Sequence, residues 1–157
     1  MVGGMNRVMA LLAEEIVEEW LNRMGYFTIR GIKVGVHEID LLAIKVDAGK
    51  VVESRHIEVQ ASINPISYIS RVPKAIQKKE GRSGTSKKKR SKDELTLGIK
   101  EWIHKKFDHK DKVKLKKKLF DGEWTRELVV HNVAHLEELE ILNSQYIEIT
   151  TLLKVVR

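Results

Sequence analysis

Two acidic side chains lie inside apolar stretches of the sequence, where an acid is costly unless it binds something. Asp40 lies in residues 37–43 and Glu58 in residues 57–60, both short and apolar as strands are. Residues 47–50 between them carry the Asp and Gly of a tight turn. Because alternate side chains of a strand share a face, antiparallel pairing would bring the two carboxylates within reach of one ion. Mg²⁺ binds one or two carboxylates and several waters, so the residues predict a Mg²⁺ site, with Mn²⁺ as the alternative ion.

The same spacing fits an ordinary strand pair with one face in water. Asp40 and Glu58 would then be solvated and paired with nearby basic residues, for which Lys45 and Arg55 are the candidates. The spacing alone leaves both interpretations open.

An amphipathic helix over residues 5–24 is predicted before these strands, ending at Gly25. Its apolar positions recur at helical spacing: Met9, Leu12, Ala13, Ile16, Val17, Trp20 and Met24. Glu14 borders this stripe and is the acid best placed to lean towards a sheet packed beneath. A solvated helix face is the alternative for Glu14, and it is the favoured interpretation for Glu15, Glu18 and Glu19.

The rest of the chain alternates between strand and helix patterns, which predicts one α/β domain over residues 1–157 with a mixed sheet flanked by helices. The predicted strands are 26–30, 110–118, 127–133 and 146–153, and the predicted helices are 72–79, 93–109 and 135–144. In residues 110–118 lysines alternate with Val113 and Leu115, which suggests a short strand or an edge hairpin with lysines on its exposed side.

The net charge of +7 is unevenly distributed. Residues 71–118 hold 19 Lys and Arg against 6 acids, a net charge of +13, whereas the remainder carries −6. Such a split predicts a basic surface beside an acidic pocket, an arrangement that suits a polyanion such as nucleic acid.

Residues 80–92 contain no apolar side chain and are predicted to be a flexible basic loop inserted in the domain. Its basic side chains, and the lysines at the end of residues 110–118, are predicted to contact nucleic-acid phosphates. They are Arg82, Lys87, Lys88, Lys89, Arg90, Lys92, Lys116, Lys117 and Lys118. A solvated, self-repelling surface loop is the alternative.

A helix bearing Glu14, then Gly25-Tyr26, then Glu-Ile-Asp-Leu-Leu-Ala and Glu-Val-Gln together resemble the PD-(D/E)XK superfamily. That group has restriction endonuclease-like folds and includes archaeal Holliday-junction resolvases; the resemblance covers residues 9–62. It implies a metal-dependent endonuclease acting on DNA, with Asp40, Glu58 and the Val59 carbonyl holding the ion. It also implies that Glu14 binds through water or holds a second ion, and that a homodimer cuts two strands.

Gln60 stands where the usual motif of this superfamily has lysine. A neutral amide can position a water by hydrogen bonding but cannot offset phosphate charge. The alternative function is therefore a nucleic-acid-binding protein that keeps the nuclease fold without hydrolysis. A protein-interaction module with solubilising lysines is ranked last.

Cysteine is absent, which excludes disulfides, cysteine-based zinc sites and thiol nucleophiles. No apolar run has the length of a membrane span, and the first residues lack a signal-peptide pattern. A cytoplasmic location without a membrane partner is expected.

Overall fold

The structure is a computed structural model that describes residues 2–157. Its elements in chain order are α1 (Val2–Arg23), β1 (Phe27–Val34), β2 (His37–Asp47), β3 (Lys50–Ile66), α2 (Lys74–Glu80), α3 (Lys92–Ile103), a π-helical turn (His104–Asp108), α4 (Lys110–Leu119), β4 (Thr125–Val133), α5 (Leu136–Ser144), β5 (Glu148–Thr151) and α6 (Leu152–Val156).

The five strands form one sheet in sequence order, β1-β2-β3-β4-β5. The first three strands are an antiparallel meander, and β4 and β5 then add in parallel after crossovers that contain helices. The β2–β3 hairpin turns at Ala48 and Gly49, whose φ angles of 49° and 78° are typical of a tight two-residue connection. The prediction of an α/β fold with a mixed sheet flanked by helices is confirmed.

One face of the sheet is covered by α1, as the amphipathic pattern requires. Ala13, Val17 and Leu21 are fully buried one helical turn apart. They pack on the alternate residues of β2 and β3 that share this face: Leu41, Ala43, Ile57, Val59 and Ala61. Helix α6 completes the layer through Leu152 and Val155. This packing sends the intervening residues, Asp40 and Glu58 among them, towards the other face.

The second face carries α3, the π-helical turn and α5. Its core contains aliphatic residues of β4, of the two helices and of the connecting segments, together with two aromatic rings: Ile69, Ile99, Trp102, Ile103, Phe107, Leu128, Val130, Leu142 and Ile147. Phe107 belongs to the π-helical turn and is completely buried, so this turn is fixed against the sheet. Helix α4 follows directly and approaches the end of the sheet that carries Asp40.

The prediction of a short strand or an edge hairpin over residues 110–118 is wrong, because this segment is helix α4. The alternation of Lys with Val113 and Leu115 suggested a period of two. The pattern that matters has a spacing of four: Lys112 and Lys116 are buried on one helical face, 2% and 5% exposed. Lysine has good helix propensity, and the two ammonium groups bind carbonyls of the preceding turn, so the helix can bury them.

The irregular segment between α2 and α3 has anchors that its composition did not reveal. The guanidinium of Arg90 is 5% exposed, donates to the Ser70 and Ser86 carbonyls and lies 3.9 Å from the ring centroid of Tyr68. Arg82 forms ion pairs with Glu80 at 3.1 Å and with Glu94 at 3.2 Å. The absence of apolar residues from this loop therefore does not leave it without anchors, because a planar guanidinium can stack and hydrogen-bond where an apolar anchor is missing.

A buried carboxylate fixes the chain that leads into this segment. Glu138 of α5 is fully buried and accepts hydrogen bonds from the amides of Ile69 and Ser70 and from the Ser70 hydroxyl. Since Ser70 in turn accepts from Arg90, α5 holds the basic segment through two successive contacts.

The last strand is shorter than the predicted span of 146–153. Strand β5 ends at Thr151, whose Oγ1 accepts from the amide of Lys154 and so caps α6. Within residues 2–157, every helix is too short or too polar to cross a bilayer.

Candidate active site

Asp40 and Glu58 meet where strands β2 and β3 stop pairing. The last Cα partners of this ladder towards that end are Leu41 and Ile57. Beyond them, side chains replace the backbone acceptors: the Asp40 amide donates to Glu58 Oε2 at 3.0 Å, and the Val59 amide donates to Asp40 Oδ2 at 2.9 Å. The two acids are thereby locked side by side by reciprocal bonds across the strand pair.

Glu58 is fully buried on the second face of the sheet. Burial raises its pKa to about 7, although the Asp40 amide and the charges of Lys106 and Lys112 oppose the shift. Its Oε2 atom is hydrogen-bonded, whereas Oε1 finds no hydrogen-bond partner anywhere in residues 2–157. A buried carboxylate oxygen with free lone pairs is the kind of atom that a cation would satisfy.

Asp40 lies on the wall of a cleft of about 290 Å³. The cleft is lined mainly by acids and lysines: Glu14, Val36, His37, Glu38, Asp40, Lys105, Lys106 and Lys112. Burial, followed by the neighbouring charge of Glu58, raises the pKa of Asp40 to about 7. Glu58 itself lies behind Asp40, outside this lining.

Glu14 of α1 reaches the same cleft from the opposite layer. Its pKa is raised to about 7, first by burial and then by the charges of Asp40 and Glu38. The structure therefore brings Glu14 and Asp40 together as the helix pattern suggested. The three predicted acids share one patch of negative charge, and each is easier to protonate than an ordinary carboxyl group.

Two carboxylates, not three, form the candidate ligand set. In the part of the chain that the structure describes, no group of three or more His, Cys, Asp or Glu side chains could hold one ion. Glu14 thus shares the cleft without completing such a group. Asp40 and Glu58 still fit Mg²⁺ or Mn²⁺, because Mg²⁺ commonly binds one or two carboxylates and keeps waters in its other positions.

The Lys and Arg residues that are close in sequence do not form ion pairs with Asp40 or Glu58. The Lys45 ammonium lies 5.0 Å from the ring centroid of Tyr26, and Arg55 pairs with Glu127 through two bonds of its guanidinium. The solvated ion-paired strand face, which the spacing alone left open, is therefore not the arrangement found.

Lys112 is the residue that sequence reasoning missed. It lies on α4, lines the cleft beside Asp40, and its Nζ donates to the Lys106 carbonyl at 3.0 Å. Burial lowers its pKa, while the charges of Glu58 and Asp40 act in the opposite direction. The missed signal was the spacing of four between Lys112 and Lys116, which alternation with apolar residues concealed.

A second buried lysine reaches Glu58 through a histidine. His56 Nε2 lies 3.2 Å from Glu58 Oε2, and His56 Nδ1 lies 3.0 Å from Lys116 Nζ. Burial, followed by the charge of Lys116, lowers the pKa of His56 well below its usual value, so the ring is neutral. His56 and Glu58 are two residues apart in β3, so the alternation of the strand places both side chains on one face.

Gln60 and the basic residues are distributed over the rest of the molecule. Gln60 is half-buried opposite Val130, and its side chain lies outside the cleft lining. Of the predicted phosphate-binding residues, Lys87, Lys88, Lys89, Lys92, Lys117 and Lys118 are exposed. The predicted roles of Arg90 and Lys116 on the surface are wrong, because both side chains are buried in the interior.

Comparison with known proteins adds no relative: no family model, curated protein or solved structure matches this chain.

Proposed function

We propose that this protein is a metal-dependent phosphodiesterase that cleaves nucleic acid, with DNA as the substrate that the motif resemblance favours. The observation that carries the proposal is the reciprocal lock between Asp40 and Glu58, which leaves Glu58 Oε1 as a candidate ligand atom beside a lysine-lined cleft.

Asp40 and Glu58 would hold Mg²⁺ or Mn²⁺ together with the Val59 carbonyl, and Glu14 would act through a bound water. When bound, such an ion lowers the pKa of its water and polarises the phosphate. The protein would position the reacting groups: the two carboxylates would hold their oxygens in place for the ion, and the cleft would place the phosphate next to these carboxylates.

Lys112 would provide the positive charge that Gln60 cannot. It lines the cleft with Asp40, whereas Gln60 does not, so a phosphate at the acids would lie near an ammonium group. Lys105 and Lys106 also line the cleft and add to the positive potential. Two copies of the chain would be needed to place two such clefts on one duplex, so a homodimer remains part of the proposal.

The Asp40→Ala substitution tests the proposal. We expect Mg²⁺-dependent cleavage of duplex, junction and single-stranded DNA to disappear, because the ion loses one of its two carboxylates. Asp47→Ala is the matched control, since Asp47 is an exposed aspartate at the turn end of the same strand. Cleavage by Asp40→Ala at the wild-type rate would refute the assignment.

Mn²⁺ titration by calorimetry tests the ion without needing a substrate. We expect one site per chain, lost in both Asp40→Ala and Glu58→Ala and retained in Asp47→Ala.

A second candidate is a nucleic-acid-binding protein that does not hydrolyse its ligand. It is favoured by the complete burial of Glu58, which accepts from Asp40 and His56 behind the cleft wall. This function predicts salt-sensitive nucleic-acid binding that neither Mg²⁺ nor Asp40→Ala changes, together with no Mn²⁺ site in the titration above.

A further inference from the structure

Three polar side chains form a continuous chain inside the protein: Lys116 of α4, then His56 and Glu58 of β3. The two links measure 3.0 Å and 3.2 Å. Lys116 is 5% exposed and the other two are completely buried. Lys116 is itself fixed at the other end, because its Nζ donates to the Phe107 carbonyl at 3.1 Å.

The chemistry of the three groups sets the direction of every hydrogen bond. An ammonium group only donates, so His56 Nδ1 must accept from Lys116. A neutral imidazole has one acceptor nitrogen and one N–H, so Nε2 must carry the hydrogen and donate to Glu58 Oε2. With Lys116 charged, the opposite tautomer would set two donors against each other at Nδ1.

Glu58 Oε2 therefore accepts from two directions, from the Asp40 amide and from His56. These two bonds fix the plane of the carboxylate and direct its other oxygen, Oε1, away from both donors. Removing the His56 bond would leave one anchor and allow the carboxylate to rotate.

We propose that Lys116, acting through His56, is a positioning residue that fixes the carboxylate of Glu58 so that Oε1 stays available as an ion ligand. Lys116 lies outside the cleft lining, and its hydrogen-bond connection to Glu58 runs through the imidazole of His56. The part of this inference that concerns the ion rests on the proposed function, whereas the part that concerns the His56 tautomer does not.

The tautomer is read from nitrogen-15 spectra of the histidine side chains at neutral pH. We expect wild-type His56 to show a protonated Nε2 and an unprotonated Nδ1. In Lys116→Met, which keeps the apolar stem and removes the donor, we expect the Nδ1–H form to become populated. Lys117→Met is the matched control, since Lys117 is the exposed neighbour on the same helix, and it should leave the spectrum unchanged. A wild-type ring protonated on Nδ1 would overturn the inference.

Mn²⁺ titration supplies the second measurement. Residues that orient a metal ligand typically change affinity by about 10–100-fold, so we expect Lys116→Met to raise the Mn²⁺ Kd at least tenfold and Lys117→Met to leave it unchanged. An unchanged Kd in a folded Lys116→Met protein that binds Mn²⁺ would overturn the positioning role.

His56 variants keep the test decisive where Lys116→Met fails to fold. His56→Gln retains an N–H for Glu58 and an oxygen for Lys116, whereas His56→Leu has neither. We expect the glutamine variant to keep most of the Mn²⁺ affinity that the leucine variant loses; equal losses would contradict the hydrogen-bond chain. If the wild-type protein binds no Mn²⁺, the proposed function fails, and the tautomer of His56 still decides the structural part of the inference.

Discussion

At the scale of single residues, the protein accumulates acids where ionisation is unfavourable. Asp40, Glu58 and Glu14 all have their pKa raised to about 7, chiefly by burial, with mutual repulsion adding to the shift of Asp40 and Glu14. An acid whose pKa is higher in the folded than in the unfolded state binds more protons when folded. Such an acid therefore destabilises the fold as the pH rises through the interval between the two pKa values.

We predict that Asp40→Asn stabilises the ligand-free protein at pH 8 and not at pH 4. The interval runs from the ordinary value of 3.8 to about 7, so wild-type Asp40 is uncharged at the lower pH and charged at the higher. The amide oxygen of Asn can still accept from the Val59 amide. The gain at pH 8 should be about 1 kcal/mol or more, or about 2–4 °C in Tm for a chain of this size. Thermal melts at both pH values measure it, and an equal effect at both would show that charge is not the cause.

Metal affinity should rise with pH, whereas the stability of the ligand-free protein should fall. An ion requires ionised carboxylates, and its binding releases the protons that these acids hold near neutrality. We expect Mn²⁺ to bind more tightly at pH 8 than at pH 6. Calorimetry in two buffers with different ionisation enthalpies counts the protons released; a Kd independent of pH would contradict the raised pKa values.

At the scale of elements, the π-helical turn between α3 and α4 fixes the positions of the Lys112 and Lys116 side chains. Its residues Lys106 and Phe107 present carbonyls that accept from Lys112 and Lys116. Two ammonium groups of α4 thus bind carbonyls at the carboxyl end of the preceding helical segment, where the helix dipole favours positive charge. This contact lets α4 bring two lysines close to Asp40 and Glu58.

Removing Lys112 should affect turnover without removing the ion. We predict that Lys112→Met lowers the rate of Mg²⁺-dependent cleavage by about 100-fold, as expected when one electrostatic contact to a reacting group is lost. The Mn²⁺ Kd should remain close to the wild-type value, because Lys112 is not an ion ligand. Lys114→Met on the exposed side of α4 is the control. Full activity in Lys112→Met would remove this lysine from the mechanism.

The contact between α5 and the basic segment makes a separate prediction about stability. Glu138→Ala leaves three donors of Ile69 and Ser70 without their acceptor, and each buried unpaired group costs about 1–3 kcal/mol. We expect the free energy of unfolding in urea to fall by about 3 kcal/mol or more. Glu137→Ala, the exposed neighbour, should change it by less than about 0.5 kcal/mol. A small effect of Glu138→Ala would mean that water replaces the carboxylate.

At the scale of the whole molecule, the charge is divided between the interior and the surface. Residues 71–118 carry a net charge of +13, and three of their basic side chains are buried inside the fold: Arg90, Lys112 and Lys116. The basic side chains that remain exposed are spread over α2, the segment before α3, α3 itself, the π-helical turn and α4. The surface available to a polyanion is therefore smaller than the sequence suggests.

Exposed lysines should set the salt dependence of nucleic-acid binding. We predict that replacing Lys87, Lys88 and Lys89 by Gln makes the slope of log K against log salt less steep by about 0.9 for each lysine that contacts a phosphate of duplex DNA. Fluorescence anisotropy with labelled DNA at several salt concentrations measures the slope. Lys50→Gln, at the β2–β3 turn, is the control; an unchanged slope in the triple variant would exclude this segment from the interface.

The sequence by itself was enough to predict the strands of the sheet and the positions of the two acids on them. The helix stripe of α1, the meander of β1 to β3 and the opposed strands carrying Asp40 and Glu58 all follow from local periodicity, because each depends on neighbours a few residues away. The β4 strand and α5 follow for the same reason. The short range of these patterns is why they could be interpreted without coordinates.

Only the tertiary structure decided which basic residues belong to the site. Lys112 and Lys116 follow Glu58 in the chain by more than fifty residues, and their place beneath the acids depends on the π-helical turn and the packing of Phe107. Composition could count these lysines but could not separate a buried ammonium, satisfied by carbonyls and an imidazole, from a solvated one. That difference comes from long-range packing, which places a donor and an acceptor side by side after the whole chain has folded.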